Sequence, residues 1–216
     1  MTSKKPKSLK VLFASNNPGK ITDAQVFVKG TNIELLTPKD LGLKLDPDET
    51  GNTYEENALI KAKAFQEAAG DPDLIVVSDD GGIEIPTLNN EPGVYSRRWK
   101  GYVMSDQEIV DYCLERMQGK KGVERDANFV GVICVLMPGR DPQYFRGVMK
   151  CHITEEPATG EIIEGFPFRS LMYVPELKKM IYDVHGTTIA ERGGFMNHRE
   201  QGLQAAFAWV AKQTRS

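Results

Sequence analysis

The sequence has few cysteines, no long apolar run and no excess of basic residues. Its three cysteines are odd in number and widely spaced, which argues against a disulfide framework or a zinc site and favours buried thiols in a reducing compartment. No apolar stretch approaches the roughly 18 residues that a membrane helix needs, so no span is expected. Residues 1–9 are lysine-rich but lack a signal-type apolar region, so we expect a frayed terminus in a cytoplasmic protein.

The charge balance excludes a general electrostatic attraction to nucleic acid or to anionic membranes. The 216 residues include 27 basic and 30 acidic side chains, a formal net charge of −3. The length suits a single domain over residues 1–216, built as one body or as two closely joined lobes, and is sufficient for a hydrophobic core. A polyphosphate ligand would therefore have to be bound by local donors and a metal ion.

Helical and strand patterns interleave along the chain. The expected elements are a strand at 10–14, a helix from about Lys20, a helix capped by Thr53 and Glu56, a strand at 74–77, a helix from Ser105 to Met117, a strand hairpin at 128–137 and 143–153, and a helix from about Arg199. This order predicts an α/β fold with a mixed sheet.

The first segment with chemical potential is residues 15–20, SNNPGK, between a strand and a helix. Backbone N–H groups at a helix start, together with Lys20, suit a phosphate group. The segment departs from a P-loop because Ala14 and Ile21 replace the expected glycine and the magnesium-binding Ser or Thr. The alternative is a polar turn that binds nothing.

The second segment is residues 78–82, SDDGG, which we expect at the end of an apolar strand. Ligands of α/β sheets gather outside the carboxyl ends of strands, and magnesium prefers one or two carboxylates plus phosphate oxygens. A carboxylate such as Asp79 or Asp80 can also accept a proton from attacking water. The alternative is an ordinary Asp-Asp-Gly-Gly turn.

The third segment joins an acidic loop to a helix. Glu49 lies just ahead of the capped helix and is a candidate second metal carboxylate, and Lys61 lies near the apolar stripe of that helix, where it could flank a cleft. The alternative is a solvated pair with no role.

These segments resemble, in the right order, the motifs of the inosine triphosphate pyrophosphatase family, the Ham1/RdgB-like noncanonical purine nucleotide pyrophosphatases. The matching stretches are 17–20 (NPGK), 53–58 (TYEENA) with Lys61, 78–84 (SDDGGIE), 91–99 (EPGVYSRRW), 145–147 (FRG) and 197–199 (NHR). The resemblance covers nearly the whole chain, and it is more specific in the first half than in the last third.

The resemblance implies an elongated mixed α/β fold with two lobes around a cleft, usually as a homodimer. It implies magnesium-dependent hydrolysis of ITP, dITP and XTP to the monophosphate and pyrophosphate. By matching motif, Ser15, Asn17 and Lys20 would hold the triphosphate, whereas Glu49 and Asp80 would bind the metal.

The same resemblance assigns the remaining hydrolytic residues. Asp80 would also activate water, Lys61 would neutralise charge on the phosphates, and Asp79 would support the metal site. Gly81 would contact the substrate through its backbone. Phosphoryl chemistry agrees with this allocation, because it needs alignment and charge neutralisation more than covalent help.

The base-reading end departs from the family pattern. The family has a Gly-Phe-Gly-aromatic-Asp segment for base recognition, and this chain reads GFPFR at 165–169. Phe168 keeps the aromatic position and is a candidate either for stacking on a base or for core packing. Arg169 replaces the aspartate, so a donor replaces an acceptor. Candidate base contacts also include His198 and Arg199, although His198 could merely cap the last helix.

Further substitutions affect the same end. Gly193 occupies a family lysine position beside Arg192, Asn197 replaces the serine of Ser-His-Arg, and Gly81 replaces another serine. We therefore expect the reaction to be retained and the base preference to be altered. An arginine can pair with the O6 and N7 acceptors of a 6-keto purine, so Arg169 is compatible with inosine-like bases.

Two other functions remain open at this stage. A pyrophosphatase acting on modified pyrimidine nucleotides, as in Maf-like proteins, fits the first-half motifs less well. A nucleotide sensor that does not hydrolyse is disfavoured by the intact Glu49, Asp79, Asp80 and Lys20. A nucleoside triphosphate is the expected partner, with neither nucleic acid nor membrane.

Overall fold

The computed structural model describes residues 8–158, 162–184 and 186–213. Over these residues the chain forms a mixed sheet of eight strands and four α-helices. In chain order the elements are β1 Leu9–Phe13, α1 Pro18–Val28, β2 Ile33–Leu36, α2 Tyr54–Ala69, β3 Ile75–Ile85, β4 Glu91–Gly93, α3 Asp106–Arg116, β5 Asp126–Leu136, β6 Gln143–Ile153, β7 Met172–Val174, β8 Lys179–Met180 and α4 His198–Gln213.

The sheet order is β2-β1-β3-β5-β6-β7-β8, and β4 pairs with β3. β1 runs parallel to β2 and β3, whereas β4, β7 and β8 join by antiparallel pairing. β5 and β6 are neighbours joined by residues 137–142, a link too short for a parallel crossover, so they form the expected hairpin. The mixed α/β fold is confirmed.

The chain divides into two compact units. The first comprises Met1–Asp80, Gly131–Gly147 and His198–Ser216, and the second comprises Gly81–Val130 and Val148–Asn197. The chain passes from one unit to the other within β3, β5 and β6. The first unit has two buried apolar clusters and the second has one.

The first unit has three layers, because alternate side chains of a strand point to opposite faces of the sheet. Val11 and Phe13 of β1 pack in a core with residues of α1 and α4. Leu12, between them, packs on the opposite face with Ala58 and Phe65 of α2.

The helix ends follow local chemistry. Thr53 and Glu56 form the predicted capping box at the start of α2, and Gly70 ends that helix in the left-handed conformation at φ +63°. Ser105 and Glu108 form a second capping box at the start of α3.

In the second unit, α3 packs against the parts of β3, β5 and β6 that belong to this unit. Its core includes Ile83, Ile109 and Leu171. Cys113 and Cys151 are buried there, and Cys134 is buried in the first unit, all three as free thiols. Burial raises the pKa of each to about 12, so they are unreactive near neutrality.

Two sequence expectations need correction. β3 does not end near Val77 but continues through the SDDGG segment to Ile85, because its last residues pair with β4. The segment 1–9, expected to be frayed, was also predicted one residue too long, because Leu9 already belongs to β1. Residues 1–7 of that segment lie outside the described residues. The described helices include none long and apolar enough to cross a membrane.

Candidate active site

The turn between β1 and α1 is organised by its own polar side chains. The Ser15 hydroxyl accepts a hydrogen bond from the Asn17 N–H at 3.3 Å, and the Asn17 side-chain oxygen accepts one from the Lys20 N–H at 3.2 Å. Asn17 is therefore the N-cap of α1, with Pro18 at the first helical position. The turn directs a helix N-terminus and the Lys20 side chain to one place, as a phosphate site requires.

Asp79 and Asp80 are adjacent in β3 and both buried, so the pleat of the strand sends their side chains to opposite faces. Asp79 continues the face of Val77, which packs with α1 and α4. Asp80 continues the face of Val76 and Ser78, which meets α2. The two carboxylates therefore lie in two different environments, one on each face of the sheet.

The Asp79 carboxylate is held by cations. Its Oδ2 lies 2.9 Å from Lys20 Nζ and 3.1 Å from Arg199 Nε, while Lys61 Nζ donates to the Asp79 main-chain oxygen at 2.9 Å. Burial alone would raise the pKa of Asp79, but the three cations outweigh it and hold that pKa well below its usual range. Its other oxygen, Oδ1, is buried and has no hydrogen-bond partner among the described residues.

Asp80 is held by a neutral amide on α2. Asn57 Nδ2 donates to Asp80 Oδ2 at 3.2 Å, and Asn57 Oδ1 accepts from the Gly51 N–H at 2.7 Å. Asn57 is only 1% exposed. It therefore links Asp80 to the loop that carries Glu49.

Lys61 lies one turn further along α2 and makes a parallel link. Its Nζ lies 2.5 Å from Glu49 Oε1 as well as contacting the Asp79 main-chain oxygen. Burial would lower the pKa of Lys61, but Asp79 and Glu49 outweigh this effect and the pKa is raised. For Lys20 burial prevails over Asp79, so its pKa is lowered.

Glycines allow the start of α4 to lie directly on the strands of the first unit. A Cβ on Gly147 would lie 2.0 Å from the His198 main-chain oxygen, and one on Gly131 would lie 2.9 Å from the His198 ring. The buried Arg199 then reaches Asp79 and also Asp23 of α1, at 3.3 Å. Packing at these glycines thus places a guanidinium beside the carboxylate.

The charged cluster suits a hydrated divalent cation better than a fully protein-ligated one. Three cationic side chains face four carboxylates, which leaves one net negative charge; the members are Lys20, Lys61, Arg199, Asp23, Glu49, Asp79 and Asp80. Within the described residues no group of three or more His, Cys, Asp or Glu side chains is placed to hold a metal. Two carboxylates completed by phosphate and water oxygens are a usual magnesium arrangement.

The other predicted substrate contacts belong to the second unit. Gly81 follows Asp80 in β3 and is exposed. Phe168, in the short 3-10 helix Pro167–Ser170, is buried in the core with its ring 6.4 Å from that of Trp99. The guanidinium of Arg169 stacks on the Phe166 ring at 4.2 Å. The stacking and base-reading roles stay predictions, although the burial of Phe168 favours core packing.

The structure brings together most of the predicted hydrolytic residues within the first unit. Lys20, Lys61, Asp79 and Arg199 share direct contacts, and Glu49 and Asp80 join them through α2. Arg199, predicted as a base contact, has its Nε and Nη1 on carboxylates, and a direct contact with the base stays a prediction.

Sequence reasoning gave no role to Asn57 or Asp23. Asn57 lies four residues before Lys61 and Asp23 lies three after Lys20, so helical spacing placed each on the face of a chosen lysine. That spacing was the available signal for both.

Comparison with known proteins identifies the family of the chain. The sequence model of the Ham1 family matches residues 11–209. A dITP/XTP pyrophosphatase of Thermus thermophilus is 38% identical over 203 residues, covering 92% of this chain and 90% of the relative. One from Staphylococcus aureus is 32% identical over 202 residues, covering 93% and 96%.

Solved structures give the same result. The Staphylococcus aureus Ham1 protein aligns with a TM-score of 0.77 at 30% identity, covering 94% of this chain and 99% of that one. A HAM1 protein from Coxiella burnetii aligns with a TM-score of 0.78 at 28% identity and the same coverage. The family match over nearly the whole chain and these relatives lead to one conclusion: the chain belongs to the Ham1 family.

Proposed function

We propose that the protein is a magnesium-dependent nucleoside triphosphate pyrophosphatase that acts on noncanonical purine nucleotides such as dITP and XTP. Relatives at 31–38% identity carry the name dITP/XTP pyrophosphatase. The observation that carries the proposal is the convergence of Lys20 and Lys61, from different helices, on Asp79, beside Glu49 and Asp80.

The triphosphate binds at the start of α1 in this proposal. Asn17 shapes the first turn, whose N–H groups and positive dipole end favour an anion. Lys20 and Lys61 supply the cationic charge, exchanging part of their contact with Asp79 and Glu49 for phosphate oxygens. Ser15 contributes a hydroxyl at the same turn.

The net negative charge of the cluster supports the proposal that a metal ion takes part. A triphosphate carries close to four negative charges, and a cluster with more carboxylates than cations would repel it. Glu49 and Asp80 are the oxygen ligands we assign to Mg²⁺, which supplies charge neutralisation on the transferred phosphoryl group.

Asp80 is the general base in this proposal. It takes one proton from water as the water oxygen bonds to the α-phosphorus of the triphosphate. The bridging P–O bond then breaks, and pyrophosphate leaves with the bond electrons while the nucleoside monophosphate remains. Asp79 does not suit this task, because its Oδ2 is already held by Lys20 Nζ and Arg199 Nε on the other face of β3.

The base-reading segment at residues 165–169 is where the chain departs from the family pattern. Arg169 stacks on Phe166 and carries donors only, so it favours the O6 and N7 acceptors of hypoxanthine or xanthine. We therefore expect keto purines to be preferred, with poorer rejection of guanine.

A substrate panel tests the reaction type and the base choice together. ITP, XTP, GTP, dUTP and ATP are each incubated with Mg²⁺, and pyrophosphate and phosphate are measured separately. We expect pyrophosphate alone, fastest with ITP or XTP, and none with Asp80→Asn. Phosphate release would refute the cleavage position, preference for dUTP or ATP would refute the keto-purine assignment, and nucleotide binding without turnover would indicate a sensor.

We also propose a cytoplasmic homodimer that binds neither nucleic acid nor membrane. The three buried free thiols suit a reducing compartment, and the net charge of −3 offers no attraction to polyanions. Light scattering coupled to size-exclusion chromatography tests the dimer, and a mass near the 24.1 kDa of one chain would refute it.

A further inference from the structure

α2 makes two matched links between the Glu49 loop and β3. Asn57 contacts the Gly51 N–H at 2.7 Å with one end of its amide and Asp80 Oδ2 at 3.2 Å with the other. Lys61, four residues later, contacts Glu49 Oε1 at 2.5 Å and the Asp79 main-chain oxygen at 2.9 Å. Residues four apart lie on one helix face, so both links arise from the same side of α2.

The fit around Asn57 leaves little freedom. The side chain is 1% exposed, and a Cβ built on Gly51 would lie 2.7 Å from Asn57 Oδ1 and 2.6 Å from Glu56 Cβ. The loop can therefore approach the helix only because residue 51 is glycine. The amide then orients Asp80 with a neutral donor and fixes the loop with an acceptor.

We infer that Asn57 is a positioning residue that sets the separation and orientation of Glu49 and Asp80, and so determines how tightly this pair binds a divalent cation. The inference rests on the proposed function, because it takes these two carboxylates as the metal ligands. The neutral Asn57 amide could keep both contacts while the two carboxylates held a cation, whereas the Lys61 ammonium would compete with the cation for Glu49. Residues that orient metal ligands commonly contribute about 10- to 100-fold in metal affinity or activity.

Asn57→Asp tests the inference because it changes one link and keeps the other. The new carboxylate still accepts the Gly51 N–H, but it repels Asp80 instead of donating to it. Gln66→Glu is the matched control: it makes the same change on the same helix, where Gln66 Nε2 donates to the Leu74 main-chain oxygen at 3.2 Å. Thermal unfolding of both variants records any general loss of stability.

The first readout is binding of Mn²⁺ alone, followed by electron paramagnetic resonance without nucleotide. We expect Asn57→Asp to weaken Mn²⁺ binding about 10- to 100-fold and Gln66→Glu to leave it within about twofold. Asn57→Leu, which removes both links, should weaken binding at least as much. Equal Mn²⁺ affinities in the Asn57 variants and the wild type would overturn the inference.

The second readout is turnover of ITP with Mg²⁺. We expect Asn57→Asp to lower kcat about 10- to 100-fold and to change the KM for ITP much less, since the phosphates are held at α1. Losses that simply follow thermal stability, equal in Asn57→Asp and Gln66→Glu, would overturn the positioning role. A wild type that binds Mn²⁺ through these residues but releases no pyrophosphate would refute the proposed function and leave the inference standing.

Discussion

Replacing Asp79 with asparagine should strongly destabilise the first unit. The change keeps the shape of the side chain but removes the charge that faces Lys20 Nζ at 2.9 Å and Arg199 Nε at 3.1 Å. Removing one partner of a buried ion pair costs about 3–5 kcal/mol when the remaining charge loses its compensation; here Lys20 loses its carboxylate, whereas Arg199 keeps its contact with Asp23. The asparagine oxygen still accepts one hydrogen bond, so we expect a loss near 3 kcal/mol, or ~6–12 °C in Tm.

The pH dependence of this loss follows from the direction of the pKa shift. The folded-state pKa of Asp79 is depressed, so its stabilising effect is present above the unfolded-state value of about 4 and is lost as pH falls through the folded-state value. The difference in unfolding free energy between wild type and Asp79→Asn should therefore have its largest value at pH 7 and should decrease progressively below about pH 4.

Urea unfolding followed by tryptophan fluorescence can measure the free energy of unfolding of the first unit, which contains Asp79. The chain has two tryptophans, Trp99 in the second unit and Trp209 in the first, so a Trp99→Phe background leaves Trp209 as the reporter. Asp126→Asn is the control, because its 2.9 Å pair with His152 is largely exposed and should cost less than about 1 kcal/mol. Equal free energies for the two variants at pH 7 would refute the account of Asp79.

Three further changes probe how the site is built. Gly147→Ala puts a Cβ 2.0 Å from the His198 main-chain oxygen, so it should displace the start of α4 and lower kcat/KM about 100-fold, whereas Val148→Ala next to it should have little effect. Lys20→Met should raise the KM for ITP about 10- to 100-fold by removing a charged phosphate donor, with the exposed Lys29→Met near wild type in the same kinetics. Chelation with EDTA should abolish pyrophosphate release, and added Mg²⁺ should restore it; activity that survives exhaustive chelation would contradict the metal assignment.

Local chemistry explains which elements could be predicted from the sequence. The capping boxes at Thr53 and Ser105 depend on residues three apart, so the starts of α2 and α3 followed directly. The end of β3 could not be predicted in this way, because the SDDGG segment has the composition of a turn. Pairing with β4 keeps the strand extended to Ile85. Tertiary pairing overrode local preference at the point where the site lies.

The same distinction applies to the candidate site. Lys20 could be predicted because it follows a strand at the start of a helix, and Asp79 and Asp80 because they are adjacent carboxylates after an apolar strand. Neither pattern shows which side chains contact one another in the fold. The contact between Arg199 and Asp79 joins positions 120 residues apart, which no local pattern encodes. Only the family resemblance put His198 and Arg199 near this chemistry in advance, and it suggested a different partner for Arg199.

Continuation of β3 through the Asp pair has a functional consequence. In a turn both carboxylates would face solvent and could share one ion, whereas in an extended strand they must point to opposite faces. Asp79 consequently meets Lys20 and Arg199 and stays ionised, and Asp80 meets the amide of Asn57 on α2. One pleat thus separates a carboxylate that contacts cations from the one that we propose binds metal and accepts a proton. Exchanging these roles would require moving the residues by one position, which turns each side chain to the other face.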